Sequence, residues 1–433
     1  MLLIKNGAVV DTVNEKVVKK DILCQDGIIT LIEDSINDNI KAGLEEAIKN
    51  KEVEVIDASS LIVSPGLVDV HVHFRDPGLT YKEDIYTGAK AAAKGGFTSV
   101  VMMANTKPVN DNEEILKYCL DKGKETDINV YAATCITKGM QGKELVDMEK
   151  LLKAGSAGFT DDGLPIKDKE TVLEAMKLSA KLHTPLSFHE EDPALIDNNG
   201  VNRGEASKHF NIGGSPREAE ITMIKRDLEL AVETNAIVNI QHISTKEGVL
   251  LVKEARTKSD NVHAEATPHH FTLTEEATIK HGTLAKMNPP LRTEEDRQAI
   301  VEGIREGVID IIATDHAPHS KEEKDKDITS APSGIIGLET ALSLAITTLV
   351  HKEQIPLAGV IRAMSLAPAS MYGLKAGKIE VGEKADFCIF DENASVIYDS
   401  FESKASNSPF IGEKLNGKII YTICKGNVIF RGM

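Results

Sequence analysis

Two histidines spaced two residues apart are the first sign of chemistry in this chain. His71 and His73 close the apolar segment VSPGLVDVHVHF, with Val72 between them. In a β-strand, residues i and i+2 point to the same face, so this segment predicts two imidazoles side by side. Such a pair supplies half of a metal site. The alternative is a pair of ordinary surface histidines. Metal-binding residues elsewhere in the chain would favour the metal site over this alternative.

Further residues able to bind a metal follow other apolar segments. Two aspartates stand in GFTDDG, single histidines in SFHE and QHIS, and one more aspartate in ATDHAPH. Random placement would not put each of them at the end of an apolar segment. Imidazole and carboxylate ligands together favour Zn²⁺, with Mn²⁺ and Co²⁺ as alternatives. The additional candidate ligands are Asp161 or Asp162, His189, His242 and Asp315.

The elements that must position these residues form a repeated pattern. Eight short apolar segments alternate with longer segments of helical periodicity, which predicts an α/β fold with a (β/α)₈ TIM-type barrel over residues 63–370. In such barrels the active site lies at the C-terminal ends of the strands, where the candidate ligands fall. The predicted strands are LVDVHVHF, FTSVVMMAN, INVYAATCI, AGFTDD, PLSFHE, IVNIQHIS, VHAEATPHH and IDIIATDHAPH.

Both ends of the chain are also rich in predicted strands. Residues 1–62 contain three, with turns expected at Asn6-Gly7 and Asp26-Gly27. Residues 371–433 contain KADFCIFD and KIIYTICKGNVIF. Together they predict a small β-sandwich domain built from both termini. A polar helix is expected within it over residues 35–50.

Composition excludes several classes of partner. The chain has 433 residues and a net charge of −17, without a basic stripe that could bind nucleic acid. No apolar segment is long enough to cross a membrane, and the N-terminus does not resemble a secretory signal. The five cysteines are scattered, which is typical of reduced thiols in a cytoplasmic protein.

Eight motifs follow one another in order along essentially the whole chain: HVHFRDPG, MANT, FTDDG, SFHEED, QHISTKE, ATPHHFTLT, KMNPPLR and ATDHAPH. On these motifs the chain resembles the class I dihydroorotases of the metal-dependent amidohydrolase superfamily. The resemblance implies the reversible, metal-assisted cyclisation of N-carbamoyl-L-aspartate to L-dihydroorotate in pyrimidine (UMP) biosynthesis. It also implies one or two Zn²⁺ ions per subunit.

The resemblance implies two metal positions at the strand ends. His71, His73 and Asp315 would hold one metal. His189 and His242 would hold the second. Many members of the superfamily bridge the two positions with a carboxylated lysine on the fourth strand, where this chain has an aspartate pair.

Within that pair, Asp162 matches the bridging position, and Asp161 is the alternative. The resemblance gives Asp315 a second role as the catalytic residue. It would take a proton from the attacking water and deliver it to the leaving nitrogen.

The substrate carboxylate requires a cation and further donors. The planar guanidinium of Arg75 suits a carboxylate. By resemblance, Arg75, Asn105 and His319 would bind that carboxylate, and Asn288 would contact the ring. Gly334 would offer backbone hydrogen bonds.

The charged segment over residues 316–333 has two interpretations. It is either a solvated surface loop or a mobile lid, since it begins directly after Asp315 and contains His319. His269 and His270 follow the seventh predicted strand and are interpreted as structural rather than as ligands.

Two other functions compete with this interpretation. A sister cyclic amidase of the hydantoinase or allantoinase type would usually keep the lysine on the fourth strand and lack this carboxylate-binding set. An inactive homologue serving as a partner of aspartate transcarbamoylase would typically have lost metal ligands, whereas this chain keeps them all. The resemblance leaves open a homodimer and an association with an aspartate transcarbamoylase.

Overall fold

The computed structural model describes residues 1–36 and 52–432, together with Ile48 and Asn50. The polar helix predicted over residues 35–50 lies almost entirely outside the described residues. The strands within the described part are β1 (Leu2–Asp11), β2 (Lys16–Gln25), β3 (Ile28–Glu33), β4 (Glu54–Asp57), β5 (Ile62–Pro65), β6 (Leu67–Val72), β7 (Phe97–Met102), β8 (Asn129–Ala132), β9 (Phe159–Thr160), β10 (Leu186–Phe188), β11 (Val238–Ile240), β12 (Val262–Ala266), β13 (Ile311–Ile312), β14 (Phe387–Ile397), β15 (Lys414–Cys424) and β16 (Asn427–Arg431).

Helices separate most of the central strands. Among the described residues, none of them is both long and apolar enough to cross a membrane. The α-helices are α1 (Ile85–Lys94), α2 (Glu113–Gly123), α3 (Met148–Ala154), α4 (Lys169–Leu182), α5 (Glu205–Phe210), α6 (Arg217–Thr234), α7 (Lys246–Arg256), α8 (Pro268–Thr272), α9 (Glu275–His281), α10 (Glu294–Arg305), α11 (Lys321–Lys324), α12 (Ala341–Ala345), α13 (Leu357–Ala363) and α14 (Leu366–Met371).

The central strands β6 to β13 are parallel and pair in chain order. They form one sheet of β6, β7 and β8 and another that runs from β9 to β13. Parallel bridges join the two sheets at both sides, between Thr134 and Phe159 and between Val72 and His316. The pairing therefore returns from the eighth strand to the first, and each predicted strand of the alternating pattern is found in shorter form. All residues of β6 and β7 are buried, as expected where parallel strands are covered on both faces.

The strands of both termini are hydrogen-bonded into one further sheet. Its order is β16-β15-β14-β5-β1-β2-β3, and β4 also pairs with β1. β14 and β5 join the two ends of the chain, with Cys388 opposite Ser64 and Phe390 opposite Ile62. Strands from both termini therefore lie in one sheet. The two packed layers that define a sandwich stay a prediction.

One of the two predicted turns in this sheet is wrong. The turn at Asp26-Gly27 joins β2 to β3 as expected, but Asn6 and Gly7 lie inside β1. The register with β2 shifts between Ile4 and Gly7, which marks a β-bulge. Asn6 adopts a left-handed φ of 62°, and its backbone N–H donates to Asp21 Oδ1 at 2.8 Å. Asn-Gly favours positive φ in bulges as well as in hairpin turns, so the sequence signal is the same for both.

Packing between α1 and the end of β6 gives a test of this fold. Gly88 of α1 faces the buried Phe74, and an added Cβ would lie 2.3 Å from Phe74 Cδ1. Gly88→Ala is therefore expected to reduce the free energy of unfolding by about 1–3 kcal/mol through overpacking.

Gly359 in α13 is the matched control, because its added Cβ would meet only Glu15 Oε2 at 3.7 Å. Gly359→Ala should increase the free energy of unfolding by about 0.5–1 kcal/mol through helix propensity. Denaturant unfolding of both variants gives the comparison. Equal stability of the two would contradict the close packing of α1 on Phe74.

Candidate active site

Six of the predicted residues converge at the carboxyl ends of the parallel strands. His71 lies in β6 and His73 directly after it, while the other four follow β9, β10, β11 and β13 within three residues. All six are buried. The structure thus brings together His71, His73, Asp162, His189, His242 and Asp315.

Asp162 lies among the four imidazoles of this cluster. Its Oδ1 is 3.4 Å from His71 Nε2, and 3.9 Å from both His189 Nδ1 and His242 Nε2. Its Oδ2 is 3.4 Å from His73 Nε2. The carboxylate therefore approaches histidines from both predicted metal positions.

Asp161 takes no part in this cluster. Its Oδ1 accepts the backbone N–H of Ile136 at 2.8 Å and of Thr137 at 3.2 Å, and its Oδ2 accepts the Thr137 hydroxyl. These bonds fix the loop after β8. Of the two aspartates that the sequence left open, only Asp162 faces the histidines.

Asp315 completes the cluster on the β6 side. Its Oδ1 is 2.9 Å from His73 Nε2 and 3.5 Å from His71 Nε2. Three residues at this rim have left-handed backbone, with φ of 49° at Asp315, 59° at Arg75 and 31° at His242. Such conformations cost free energy in non-glycine residues and concentrate at functional sites.

Charge is balanced inside this buried cluster. Burial opposes the charged form of His71, yet the Asp162 and Glu265 carboxylates raise the pKa of His71 well above its usual value. Burial would raise the pKa of Asp162, but His71 and the other imidazoles hold it well below its usual range. Burial and the neighbouring charges of His189 and His71 lower the pKa of His242. Ionised carboxylate and imidazole groups thus stabilise each other here.

Two residues that were predicted to contact the substrate, Asn105 and Asn288, also lie within hydrogen-bond distance of the histidines. The Asn105 side chain lies 2.9 Å from His73 Nδ1 through Oδ1, and its Nδ2 donates to Asp162 Oδ2 at 3.1 Å. Asn288 Nδ2 lies 3.2 Å from His189 Nε2. Asn288 Oδ1 is buried and has no hydrogen-bond partner within the described part of the chain.

Glu265 is a site residue that the sequence analysis missed. This fully buried residue of β12 places Oε2 3.0 Å from His71 Nδ1. The only signal in the sequence was a single acidic residue inside the strand VHAEA, and the strand is followed closely by the more conspicuous pair His269 and His270. His270 bonds to Thr267 Oγ1 at 2.8 Å and to Pro289 O at 3.0 Å, as a structural histidine would.

The cluster opens into a cavity of about 340 Å³. Its walls include residues of both predicted metal positions, as well as Arg75, Asn105, Asn288, His319 and Gly334. The Arg75 Nε atom is buried and lacks a hydrogen-bond partner among the residues that the structure describes. A guanidinium with spare donors beside a carboxylate–imidazole cluster can bind an anionic group of a ligand.

The segment over residues 316–333 contributes to the cavity wall. His319 Nε2 lies 2.8 Å from Ser333 O, and Glu323 accepts from Lys82 Nζ at 2.8 Å. A turn of helix, α11, lies within the segment. Movement of the whole segment 316–333 as a lid stays a prediction.

The backbone of Gly334 is already engaged. Its N–H donates to Lys286 O at 2.8 Å. Its carbonyl accepts from Lys324 Nζ at 3.0 Å and from Asn407 Nδ2 at 3.1 Å. A backbone bond from Gly334 to a substrate would therefore require these contacts to rearrange.

Known sequences match this chain over nearly its whole length. The sequence pattern of the Amidohydrolase family matches residues 62–429. A protein named dihydroorotase from Clostridioides difficile (strain 630) is 52% identical over 430 residues, which cover 99% of this chain and 100% of the relative. A dihydroorotase from Streptococcus pneumoniae serotype 4 is 48% identical over 433 residues, covering 100% of both chains.

Solved structures share the fold. L-hydantoinase (dihydropyrimidinase) from Arthrobacter aurescens matches with a TM-score of 0.84 at 25% identity, covering 99% of this chain and 96% of that chain. D-hydantoinase from Thermus sp. matches with a TM-score of 0.83 at 22% identity, covering 100% and 95%. The similarity in sequence to these structures is about half that to the dihydroorotases.

Proposed function

The chain belongs to the amidohydrolase family, and from this premise we propose that it is a dihydroorotase. It interconverts N-carbamoyl-L-aspartate and L-dihydroorotate in pyrimidine biosynthesis. Full-length relatives at 48% and 52% identity carry that name. The observation that carries the proposal is the Arg75 guanidinium, which lines the same cavity as the histidine–aspartate cluster.

The cluster fits a resident metal. The His71 Nε2 and His242 Nδ1 atoms are buried without hydrogen-bond partners within the described part of the chain. Such nitrogens are suited to metal ligation, and imidazole with carboxylate is a zinc donor set. Zn²⁺, one or two ions per subunit, is the proposed cofactor. When bound, it supplies Lewis acidity to the substrate carbonyl and to the attacking water.

The proposed ligands divide into two positions. His71, His73 and Asp315 would hold one ion. His189 and His242 would hold the other. Asp162, which faces both sets, would bridge them.

Asp315 is the proposed general base and acid. In ring opening, the water oxygen bonds to the amide carbonyl carbon and the bond from that carbon to the ring nitrogen breaks. Asp315 takes the proton from the water and delivers it to that nitrogen. In ring closure the same carboxyl group moves protons in the opposite order. Its position on the cavity wall, 2.9 Å from His73 Nε2, supports this role.

Arg75 is the proposed anchor of the substrate carboxylate. The guanidinium can bind a carboxylate with two parallel hydrogen bonds. Asn105 and His319 line the same cavity and are proposed to assist, while Asn288 contacts the ring. Asn105 would do so while holding His73, to which it is bonded at 2.9 Å.

The alternative functions are less well supported. The hydantoinase neighbours are related at 25% and 22% identity, which is evidence about fold alone. A hydantoinase substrate needs no cation for a carboxylate, so it would leave Arg75 without a ligand. An inactive scaffold is disfavoured by the buried cluster of four histidines and two aspartates.

We also propose the domain architecture, the cellular location and the kind of substrate of this protein. The ring of parallel strands is interpreted as a (β/α)₈ TIM-type barrel over residues 63–370, with a β-sandwich from residues 1–62 and 371–433. The continuous sheet formed by both termini supports this division. The five buried free cysteines support a cytoplasmic location. The substrate is a small molecule, and homodimer formation and binding of an aspartate transcarbamoylase are left to experiment.

The proposed substrate can be tested by removing its carboxylate or its anchor. The protein should hydrolyse dihydroorotate in preference to dihydrouracil, which is the same ring without the carboxylate. Arg75→Met should lower kcat/KM for dihydroorotate by about 30-fold or more, because a buried charge-assisted contact is lost. Steady-state kinetics on both compounds measure this preference.

Arg362→Met is a suitable control, since Arg362 is at the surface, 3.7 Å from Glu15. This variant should keep the preference of the parent protein. If Arg75→Met also kept it, Arg75 would not be the anchor. If the parent preferred dihydrouracil, the protein would be a sister cyclic amidase.

The role of Asp315 gives a second test. Asp315→Asn keeps an oxygen ligand but cannot accept the proton, so zinc should stay bound while kcat falls by about 10²–10⁴-fold. Zinc content by elemental analysis and turnover of dihydroorotate should be measured on the same sample. Near-normal turnover with zinc bound would exclude Asp315 as the proton carrier.

A further inference from the structure

We infer that Glu265 is a positioning residue of this site, which holds the His71 imidazole in the orientation and tautomer that metal binding requires. The inference rests on the proposed function, because it assigns His71 to a metal position. Glu265 is not among the described residues that line the cavity. It acts through His71 alone.

The contact geometry determines the tautomer. Glu265 Oε2 lies 3.0 Å from His71 Nδ1, while His71 Nε2 lies 3.4 Å from Asp162 Oδ1 and 3.5 Å from Asp315 Oδ1. An ionised carboxylate can only accept a hydrogen bond, so in the neutral form of His71 that would bind a metal, the ring proton belongs on Nδ1. The lone pair is then on Nε2, which faces the cluster. Outer carboxylates of this kind fix ligating histidines in other metal sites.

Glu265 is itself held in place. Its Oε1 accepts a hydrogen bond from Asn239 Nδ2, and that same nitrogen lies 3.2 Å from Ser187 Oγ. Ser187 Oγ in turn lies 2.9 Å from the Tyr372 hydroxyl. All of these side chains are buried, so the carboxylate has no solvent to turn toward. The chain of contacts links β12, β11, β10 and the end of α14 to the orientation of one imidazole.

The neighbouring histidine shows what Glu265 adds. His73 Nδ1 is bonded at 2.9 Å to the uncharged amide oxygen of Asn105. At His71 the same position is taken by a charged group, which binds the N–H more strongly and increases the basicity of Nε2. A carboxylate placed only for packing would not need this alignment with Nδ1.

Zinc affinity is the direct test. Zn²⁺ alone is titrated into metal-free protein in competition with a chromophoric chelator, so no turnover is involved. Glu265→Leu removes the acceptor and should weaken zinc binding by about 100-fold, and Glu265→Gln keeps an uncharged acceptor and should weaken it by about tenfold. A graded loss in this order, with circular dichroism showing folded protein, supports the inference.

Asp310→Asn is the matched control. It disrupts another histidine–carboxylate pair of β12, the 2.7 Å contact from His263 Nδ1 to Asp310 Oδ2, and should leave zinc affinity unchanged. If Glu265→Leu does not fold, Glu265→Gln decides the question, and parent-like affinity in that variant overturns the inference.

Zinc binding by the parent protein distinguishes failure of the role of Glu265 from failure of the proposed function. If the parent binds zinc and both Glu265 variants bind it equally well, only the role of Glu265 is overturned. If the parent does not bind zinc, the proposed function fails, and the role of Glu265 fails with it. Loss of zinc binding in Asp310→Asn as well would show a general effect on β12 and would also overturn the inference.

Discussion

The contact between the Asp162 carboxylate and the surrounding imidazoles is the interaction on which the site depends. Four histidines cannot be buried side by side unless their partial or full charges are compensated. Asp162 lies within 3.4–3.9 Å of a ring nitrogen of each, and Asp315 adds a second carboxylate next to His71 and His73. The same arrangement of lone pairs and negative charge that stabilises the cluster is what a divalent cation requires.

The fold meets this requirement by closing a set of parallel strands. The carboxyl ends of β6, β9, β10, β11 and β13 meet at one rim, so each strand supplies one or two side chains of the cluster. Asp69 links β6 to the segment that follows β13. Its Oδ1 accepts the backbone N–H of His71 at 3.0 Å and of Thr314 at 3.2 Å. The backbone is thereby fixed immediately before the side chains of His71 and Asp315.

Much of this arrangement could be predicted from the sequence. Strand periodicity located the eight central strands, and the residue types at their ends gave five cluster members and the aspartate pair that contains the sixth. Two parts of the site could not be obtained in this way. Asp161 and Asp162 are chemically identical and adjacent, and in the structure their contacts distinguish them: Asp161 bonds to the backbone of 136–137, whereas Asp162 faces the histidines. Glu265 pairs with a residue 194 positions away, which no local pattern reveals.

Local rules also failed where tertiary contacts compete with them. Asn6-Gly7 fits a hairpin turn by residue type, but pairing of β1 with β2, β4 and β5 extends the strand through it. Gly334 was expected to offer backbone hydrogen bonds to the substrate, which stays a prediction, and its N–H and carbonyl are bonded to Lys286, Lys324 and Asn407 in the structure. Neither outcome depends on residues that are close in sequence.

Ring opening of dihydroorotate, monitored through the loss of its ultraviolet absorbance, is the direct test of metal-dependent dihydroorotase activity. It should be measured on the purified protein, again after a chelator has removed bound metal, and a third time after Zn²⁺ is returned. Turnover is expected to disappear with the metal and to return with it. Turnover that persists after complete metal removal, or no turnover in the zinc-loaded protein, would contradict the proposed function.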